Sequence, residues 1–245
     1  MRHLLLSGGP GHDFDGSAAV LVDLVADAET TVVTEPGAAV EALRRAAAGV
    51  EPPWDLLTVH ALRWRMEVER YAHLRDAEGF DLTDADARVI ADHVAGGGGL
   101  LALHTAVICF DAQPRWRDLL GAAWDWDRSH HRAPGPVAVA VTDVGRAHPV
   151  TAGTDPFEVV DELYADLDRS PDVVALLEGA RHDQVHPVLW ARTHGAGRVV
   201  VDVLGHDPAS LVAPAHRAVL GRAVTWAART TADDAPGPRR RARTP

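Results

Sequence analysis

The chain has 245 residues, of which 47% are apolar and 24% are charged, a composition typical of a soluble globular protein and too apolar for a disordered one. Its formal net charge of −11 argues against nucleic acid as a partner, because phosphate recognition requires a basic face. All 24 basic residues are arginine, which excludes chemistry that needs a lysine, such as a Schiff base or a P-loop.

Cysteine usage and apolar runs indicate the compartment. Cys109 is the only cysteine, so neither an intrachain disulfide nor a cysteine-based zinc site can form. We interpret it as a small buried apolar side chain. The apolar run near the N-terminus is too short for a signal peptide, and no stretch approaches the roughly 20 apolar residues of a membrane span. We therefore expect a cytoplasmic protein with no membrane partner.

The first half of the chain alternates strand and helix patterns. This alternation predicts a parallel sheet with right-handed crossovers. We interpret the turn at residues 8–12, which lacks the G-x-G-x-x-G spacing, as a place where the backbone approaches either a ligand or a neighbouring strand. Residues 63–82 are polar and irregular, and we expect them to cross over the sheet outside the core. The predicted strands are 3–7, 30–34, 56–61 and 100–103, and the predicted helices are 15–27, 36–48 and 83–95.

The second half is richer in strand. The last two predicted strands flank His194–Gly197, which is a hairpin signal. Pro214 begins a final helix that runs to about Arg229. We predict one α/β domain over residues 1–229 and a disordered Arg/Pro-rich tail over residues 230–245. The predicted strands are 137–141, 157–163, 173–177, 188–193 and 199–204.

Four of the 14 histidines follow predicted strands: His12, His60, His104 and His206. Ligands of open parallel sheets bind beyond the carboxyl ends of the strands, so we expect these imidazoles to face one crevice. Imidazole suits both proton transfer near neutral pH and metal binding. Because the sequence lacks an H-E-x-x-H motif or any cluster of fixed spacing, a divalent metal is left open and no cofactor is assigned.

Asp161, Glu162 and Tyr164 follow another predicted strand. Neighbours in an extended segment point to opposite faces, so only one of the two carboxylates can face the crevice unless the strand has already ended. Either carboxylate could orient a histidine or act as a base. The chain also has seven tryptophans, whose faces suit sugar rings, although core packing accounts for most of them.

Six features occur in order along the chain: GGGGLLALHTA at 96–106, HPVTAG at 148–153, DELY at 161–164, HPVLW at 186–190, GAGRVVVDVLGHD at 195–207, and Trp226. Together they resemble the ThuA-like family, which is associated with trehalose utilisation. The resemblance implies a fold like that of flavodoxin and the class I glutamine amidotransferases: a mainly parallel central sheet, helices on both faces and an added β-hairpin in the second half. Amidotransferases carry a catalytic cysteine at the strand-to-helix elbow, where this chain has His104, so glutaminase chemistry is not expected.

The family's link to catabolism of disaccharides or their 3-keto derivatives leads to our main hypothesis. We expect a lyase, isomerase or hydrolase acting on a small glycoside or keto-sugar. Two alternatives stay open: a non-catalytic sugar-binding or regulatory module on the same fold, and a divalent-metal hydrolase. Base rates of oligomers favour a homodimer. The candidate catalytic residues are His104, His206, Asp161 and Glu162; the candidate substrate-binding residues are His12, His60, His131 and Tyr164, with Arg217 considered for sugar hydroxyls.

Overall fold

The computed structural model describes residues 1–229, and the predicted tail at 230–245 lies outside the described residues. One large sheet contains nine of the strands, and the two-residue strands β5 and β8 pair with each other. The strands are β1 (Arg2–Gly8), β2 (Glu29–Val33), β3 (Leu56–Ala61), β4 (Gly99–Leu103), β5 (Ala122–Ala123), β6 (Gly135–Val141), β7 (Phe157–Asp161), β8 (Asp168–Arg169), β9 (Ala175–Arg181), β10 (Gln184–His194) and β11 (Gly197–Asp202).

The helices form two rows, one with α2, α4 and α5 and the other with α1, α7 and α8. Short 3-10 helices span Glu69–Leu74 and His104–Val107. Within the described residues, no helix combines the length and apolar character needed to cross a bilayer. The α-helices are α1 (Phe14–Leu24), α2 (Pro36–Ala47), α3 (Arg75–Glu78), α4 (Asp84–Ala95), α5 (Pro114–Leu120), α6 (Asp143–Ala147), α7 (Pro208–Val212) and α8 (Pro214–Ala227).

The large sheet has a parallel half and an antiparallel half. Its order is β2-β1-β3-β4-β11-β10-β9-β6-β7. The first five strands are parallel in the flavodoxin-like order, and β3 and β4 are buried along their whole length, as strands covered on both faces must be. This confirms the α/β fold class. The antiparallel half holds four strands, and so is larger than the single added hairpin that we expected.

The predicted hairpin at residues 194–197 is confirmed, because β10 and β11 pair in antiparallel register on either side of it. The preceding hairpin differs from the prediction: β9 runs to Arg181, and β10 begins at Gln184 instead of Val188. Pro187 lies inside β10, next to a register shift where the pairing with β9 is irregular. A proline is unusual inside a strand except at such an irregularity, and it therefore hid the first residues of this strand from sequence analysis.

The segment at 63–82 does more than cross over the sheet. Trp64 and Met66 are fully buried, and the backbone N–H of Phe80 donates to the Trp64 carbonyl at 2.8 Å. The expectation that this segment stays outside the core is therefore wrong. Its aromatic side chains also form one wall of the cavity described below.

The glycine-rich turn after β1 lets two loops touch. Gly9 has a φ of 134°, and a Cβ at this position would lie 2.4 Å from the carbonyl oxygen of Leu62. The N–H of Leu62 donates to the carbonyl of Gly8 at 2.9 Å. This confirms the interpretation of the turn as a point of close backbone approach, and it places His12 beside the end of β3.

Candidate active site

A cavity of about 310 Å³ lies at the carboxyl ends of the parallel strands, where ligands of open α/β sheets bind. Its volume is at the lower end of the range for small-molecule sites, roughly 300–1,000 Å³. One side is aromatic and the other is formed by imidazoles and a carboxylate. The lining residues are Pro10, Gly11, His12, Leu62, Trp64, Arg70, Tyr71, Leu74, Ile108, Trp124, Trp126, His131, Glu162, Tyr164 and His206.

His104 forms the elbow directly after β4. Its φ of 46° is left-handed, and the chain turns there into a 3-10 helix. Its Nδ1–H donates to the carbonyl of Val203 at 3.0 Å, which leaves the lone pair on Nε2. Nε2 accepts a hydrogen bond from the Tyr164 hydroxyl at 2.9 Å and lies 3.5 Å from Glu162 Oε2. Since His104 is fully buried, it forms the floor beneath the cavity and does not line it.

Two further imidazoles meet His104. The ring centroids of His12 and His104 are 5.3 Å apart, those of His12 and His206 4.8 Å, and those of His104 and His206 5.5 Å. Burial and the neighbouring imidazoles lower the pKa of His12 to about 4. His12 is therefore neutral near pH 7. The structure thus brings together three of the four histidines that follow predicted strands.

His60 lies elsewhere. Its side chain is fully buried, its Nε2–H donates to the Gly205 carbonyl at 3.0 Å, and its ring packs against Phe14. Burial lowers the pKa of His60 to about 3, so it stays neutral. His60 is predicted from sequence to contact substrate, but it lies below the cavity and supports the Gly205 turn. The reason is that it lies within β3, not beyond its end.

Glu162 is the anion at the centre of the cluster. His131 Nδ1 lies 3.0 Å from Oε1, His206 Nε2 lies 3.6 Å from the same oxygen, and His104 Nε2 lies 3.5 Å from Oε2. Burial alone would raise the pKa of Glu162, but the adjacent His104 imidazole and a hydrogen bond with His131 lower it to about 2. The same hydrogen bond raises the pKa of His131. Glu162 therefore stays ionised and favours the protonated form of His131.

Asp161 points to the opposite side, as the alternation along an extended segment predicts. Its buried carboxylate accepts from the backbone N–H groups of Glu162 at 2.7 Å, Gly205 at 2.7 Å and His206 at 3.2 Å, and from the Ser210 hydroxyl. These bonds occupy the carboxylate and hold the turn that carries His206. Asp161 is predicted from sequence to be catalytic, but its carboxylate faces these backbone and serine donors and does not line the cavity.

A second buried set lies behind Asp161. His216 Nδ1–H donates to the Ser210 carbonyl at 2.9 Å, and Nε2–H donates to Asp202 Oδ2 at 3.1 Å. Because both ring nitrogens face acceptors, the surroundings favour the protonated form of His216, and the Asp202 carboxylate raises its pKa despite the opposing effect of burial. Ser210 contacts His216, and His216 contacts Asp202, but all three side chains are fully buried. The set supports Asp161 and has no access to substrate.

The opposite wall of the cavity is aromatic. The Trp64 and Trp126 rings are stacked with centroids 6.0 Å apart, Trp124 meets Tyr164 edge-on at 5.2 Å, and the Arg70 guanidinium lies 4.8 Å from the Tyr71 ring centroid. Sequence reasoning included Trp64 only among the seven tryptophans whose faces suit sugar rings, and it missed Arg70 and Tyr71, because their segment has no helix or strand period. The available signal was aromatic side chains inside an otherwise polar stretch.

Two other candidates lie apart from the cavity. Cys109 is buried, its thiol donates to the Ala61 carbonyl at 2.9 Å, and burial raises its pKa to about 12, so it is not a nucleophile. This confirms its interpretation as a buried apolar side chain. Arg217 pairs with Asp23 at 2.8 Å on the protein surface and does not reach the cavity.

The cluster also contains a set of metal-ligand atoms. His12, His104 and Glu162 each offer one such atom, and within the part of the chain that the structure describes these atoms lie within 4.8 Å of one another. Two imidazoles and a carboxylate are donors that divalent transition metals accept.

The comparisons with known proteins agree with this architecture. A family model described as ThuA, trehalose utilisation, matches residues 63–227. A putative ThuA-like protein from Parabacteroides merdae has a TM-score of 0.69 and 17% identity, with 94% of this chain and 91% of that chain covered. No curated protein matches the sequence.

Two other solved structures share the fold. A putative ThuA-like protein from Bacteroides uniformis has a TM-score of 0.67 and 15% identity, with 93% of this chain and 91% of that chain covered. A cytoplasmic protein from Salmonella typhimurium has a TM-score of 0.57 and 15% identity, with 93% of this chain and 99% of that chain covered. At these identities the likeness to solved structures establishes the fold alone.

Proposed function

The chain belongs to the ThuA family, which implies a role in sugar metabolism, and we propose that it is an enzyme that acts on a glycoside or keto-sugar by acid–base chemistry of histidine and glutamate. One observation carries the proposal. A single cavity has an aromatic wall on one side and an imidazole–carboxylate cluster on the other. The wall suits the apolar C–H face of a sugar ring, and the cluster suits proton transfer.

The residues divide into groups that contact substrate and groups that support them. His131 and His206 are partly exposed in the cavity, and both lie beside the ionised Glu162. A carbonyl in a keto-sugar makes the adjacent C–H acidic. An imidazole that takes this proton becomes a cation, which the Glu162 carboxylate stabilises at short range, and the same imidazole can return the proton to a leaving oxygen or to another carbon. Such a site can catalyse elimination, isomerisation or hydrolysis.

The test is an NMR time course with trehalose and with 3-keto-trehalose. We expect turnover of at least one of the two sugars, and we expect His206→Ala to slow it by at least about 100-fold, because general acid–base groups typically contribute 10²–10⁴-fold. His130→Ala is the matched control, since His130 is exposed and contacts the backbone of Arg128. Tight binding of sugar without turnover would support the binding module and contradict the enzyme.

We also propose a cytoplasmic location. The support is the S. typhimurium relative described as cytoplasmic, together with a single buried cysteine that forms no disulfide in the described residues. A cytoplasmic enzyme would meet its sugar after uptake or after oxidation by another protein.

A further inference from the structure

We propose that His12, His104 and Glu162 bind one divalent transition-metal ion of the zinc class at the floor of the cavity. The inference names a metal for the site of the proposed function and in that sense rests on it, but the evidence comes from the ligand atoms themselves. These atoms lie within 4.8 Å of one another. His104 Nε2 and Glu162 Oε2 are 3.5 Å apart, close to the edge of about 3.4 Å that a tetrahedron has when its bonds are 2.0–2.1 Å long.

The lone pairs of two imidazole nitrogens, on His104 and His12, lie within the cluster. The Nδ1–H of His104 donates to the Val203 carbonyl, which places the lone pair on Nε2. His12 Nδ1 lies 3.5 Å from the Pro10 carbonyl, and its Nε2 is buried without a hydrogen-bond partner in the described structure. Buried polar atoms normally have a hydrogen-bond partner. The unpartnered Nε2 of His12, which lies among other metal-ligand atoms, therefore indicates a position for a ligand.

The outer contacts are those of a metal site. Metal-binding histidines usually donate the second ring N–H to a carbonyl or carboxylate, which fixes the tautomer and the ring orientation. His12 and His104 both direct Nδ1 to backbone carbonyls. The Glu162 carboxylate is held by His131 through Oε1, which leaves Oε2 on the side of His104. Each of the three ligands is therefore already oriented by a neighbour.

The donor set identifies the class of ion. Two histidines and one glutamate with an open fourth position are typical of catalytic zinc sites. His12 and Glu162 also line the cavity, so the ion would be reached from the substrate side. An ion there would polarise a sugar carbonyl or hydroxyl oxygen, while His206 and His131 remain available for proton transfer.

One side chain competes with the ion. The Tyr164 hydroxyl occupies the Nε2 lone pair of His104 at 2.9 Å. A bound ion must displace this hydroxyl from Nε2. We therefore expect Tyr164→Phe to keep zinc binding at one ion per chain with equal or higher affinity.

The experiment uses the full chain, stripped with a chelator and titrated with Zn²⁺ by calorimetry and elemental analysis. We expect one ion per chain, and with Co²⁺ the visible absorption of a tetrahedral site. His12→Gln and Glu162→Gln should weaken binding by at least about 100-fold, more than the 10- to 100-fold typical of losing an outer contact, whereas His130→Gln should bind like the parent. Circular dichroism shows whether each variant is folded. The Co²⁺ spectrum of the parent chain tests the site even where a variant fails to fold.

The outcomes separate this inference from the proposed function. Absence of stoichiometric Zn²⁺ and Co²⁺ binding, or equal binding by folded His12→Gln, overturns the metal site. Full sugar turnover by chelator-stripped protein also overturns a catalytic ion but leaves the enzyme intact. Metal binding without turnover of any sugar keeps the metal site and overturns the enzyme.

Discussion

At the scale of single residues, neighbouring groups fix the tautomers of the imidazoles in the cluster. The backbone carbonyl of Val203 sets the proton position of His104, and the ionised Glu162 raises the pKa of His131. His60 and His104 both come from predicted strand ends. His60 donates its Nε2–H to a backbone carbonyl, whereas His104 donates its Nδ1–H and keeps the lone pair on Nε2. A sequence shows the residue type and its distance from a strand, and neither distinguishes these two roles.

The buried His216–Asp202 pair makes stability depend on pH. The pKa of His216 is raised in the folded state, so its stabilising effect is fully present below the unfolded-state value of about 6.5 and is lost as pH rises through the higher folded-state value. We expect the difference in unfolding free energy between the parent and His216→Gln to shrink as pH rises from about 5.5 to about 8.5. Urea unfolding at several pH values measures it.

The control for this pH series is Arg217→Gln. Arg217 belongs to the same helix, but its ion pair with Asp23 is exposed, and such pairs contribute about 0–1 kcal/mol. A difference between His216→Gln and the parent that stays constant across the pH range would show that folding does not raise the pKa of His216, and a difference that grows with pH would show that His216 is held neutral in the folded protein.

At the scale of secondary structure, the parallel half of the sheet was predictable and the antiparallel half only in part. β3 and β4 are continuous apolar runs, because both faces of a parallel sheet are covered. β10 contains Pro187 beside its register shift, which conceals the beginning of the strand. The segment around Trp64 and Tyr71 follows no period, because its backbone is set by contacts with the rest of the fold and not by a repeating pattern.

The aromatic wall gives a prediction at this scale. Trp126 is half-buried and stacks on Trp64, so Trp126→Ala should weaken sugar binding by about 3- to 10-fold, given that an aromatic contact contributes about 0.5–1.5 kcal/mol. Calorimetric titration with the sugar measures the affinity. The matched control is Trp226→Ala, because Trp226 is also half-buried but packs against His148, outside the cavity lining. An equal loss in both variants would mean that the wall does not contact sugar.

At the scale of the whole molecule, the sheet gathers residues that are far apart in the chain. His12 follows β1, His104 follows β4, Glu162 follows β7 and His206 follows β11, and the flavodoxin-like strand order brings three of these ends to one edge. The rule on ligand sites at strand ends was enough to predict that histidines would meet there. It could not predict which carboxylate joins them, because Glu162 enters from the antiparallel half, whose register depends on the whole fold.

The rate of keto-sugar consumption by Glu162→Gln tests the central claim most directly, with sugar affinity measured on the same sample. Glutamine keeps the size of the side chain but removes the charge that stabilises the imidazolium groups. We predict that the parent consumes 3-keto-trehalose and that the folded Glu162→Gln variant still binds it but consumes it at least about 100-fold more slowly. Consumption at the parent rate by Glu162→Gln would contradict the account, because the cluster at this edge of the sheet would then not be the active centre.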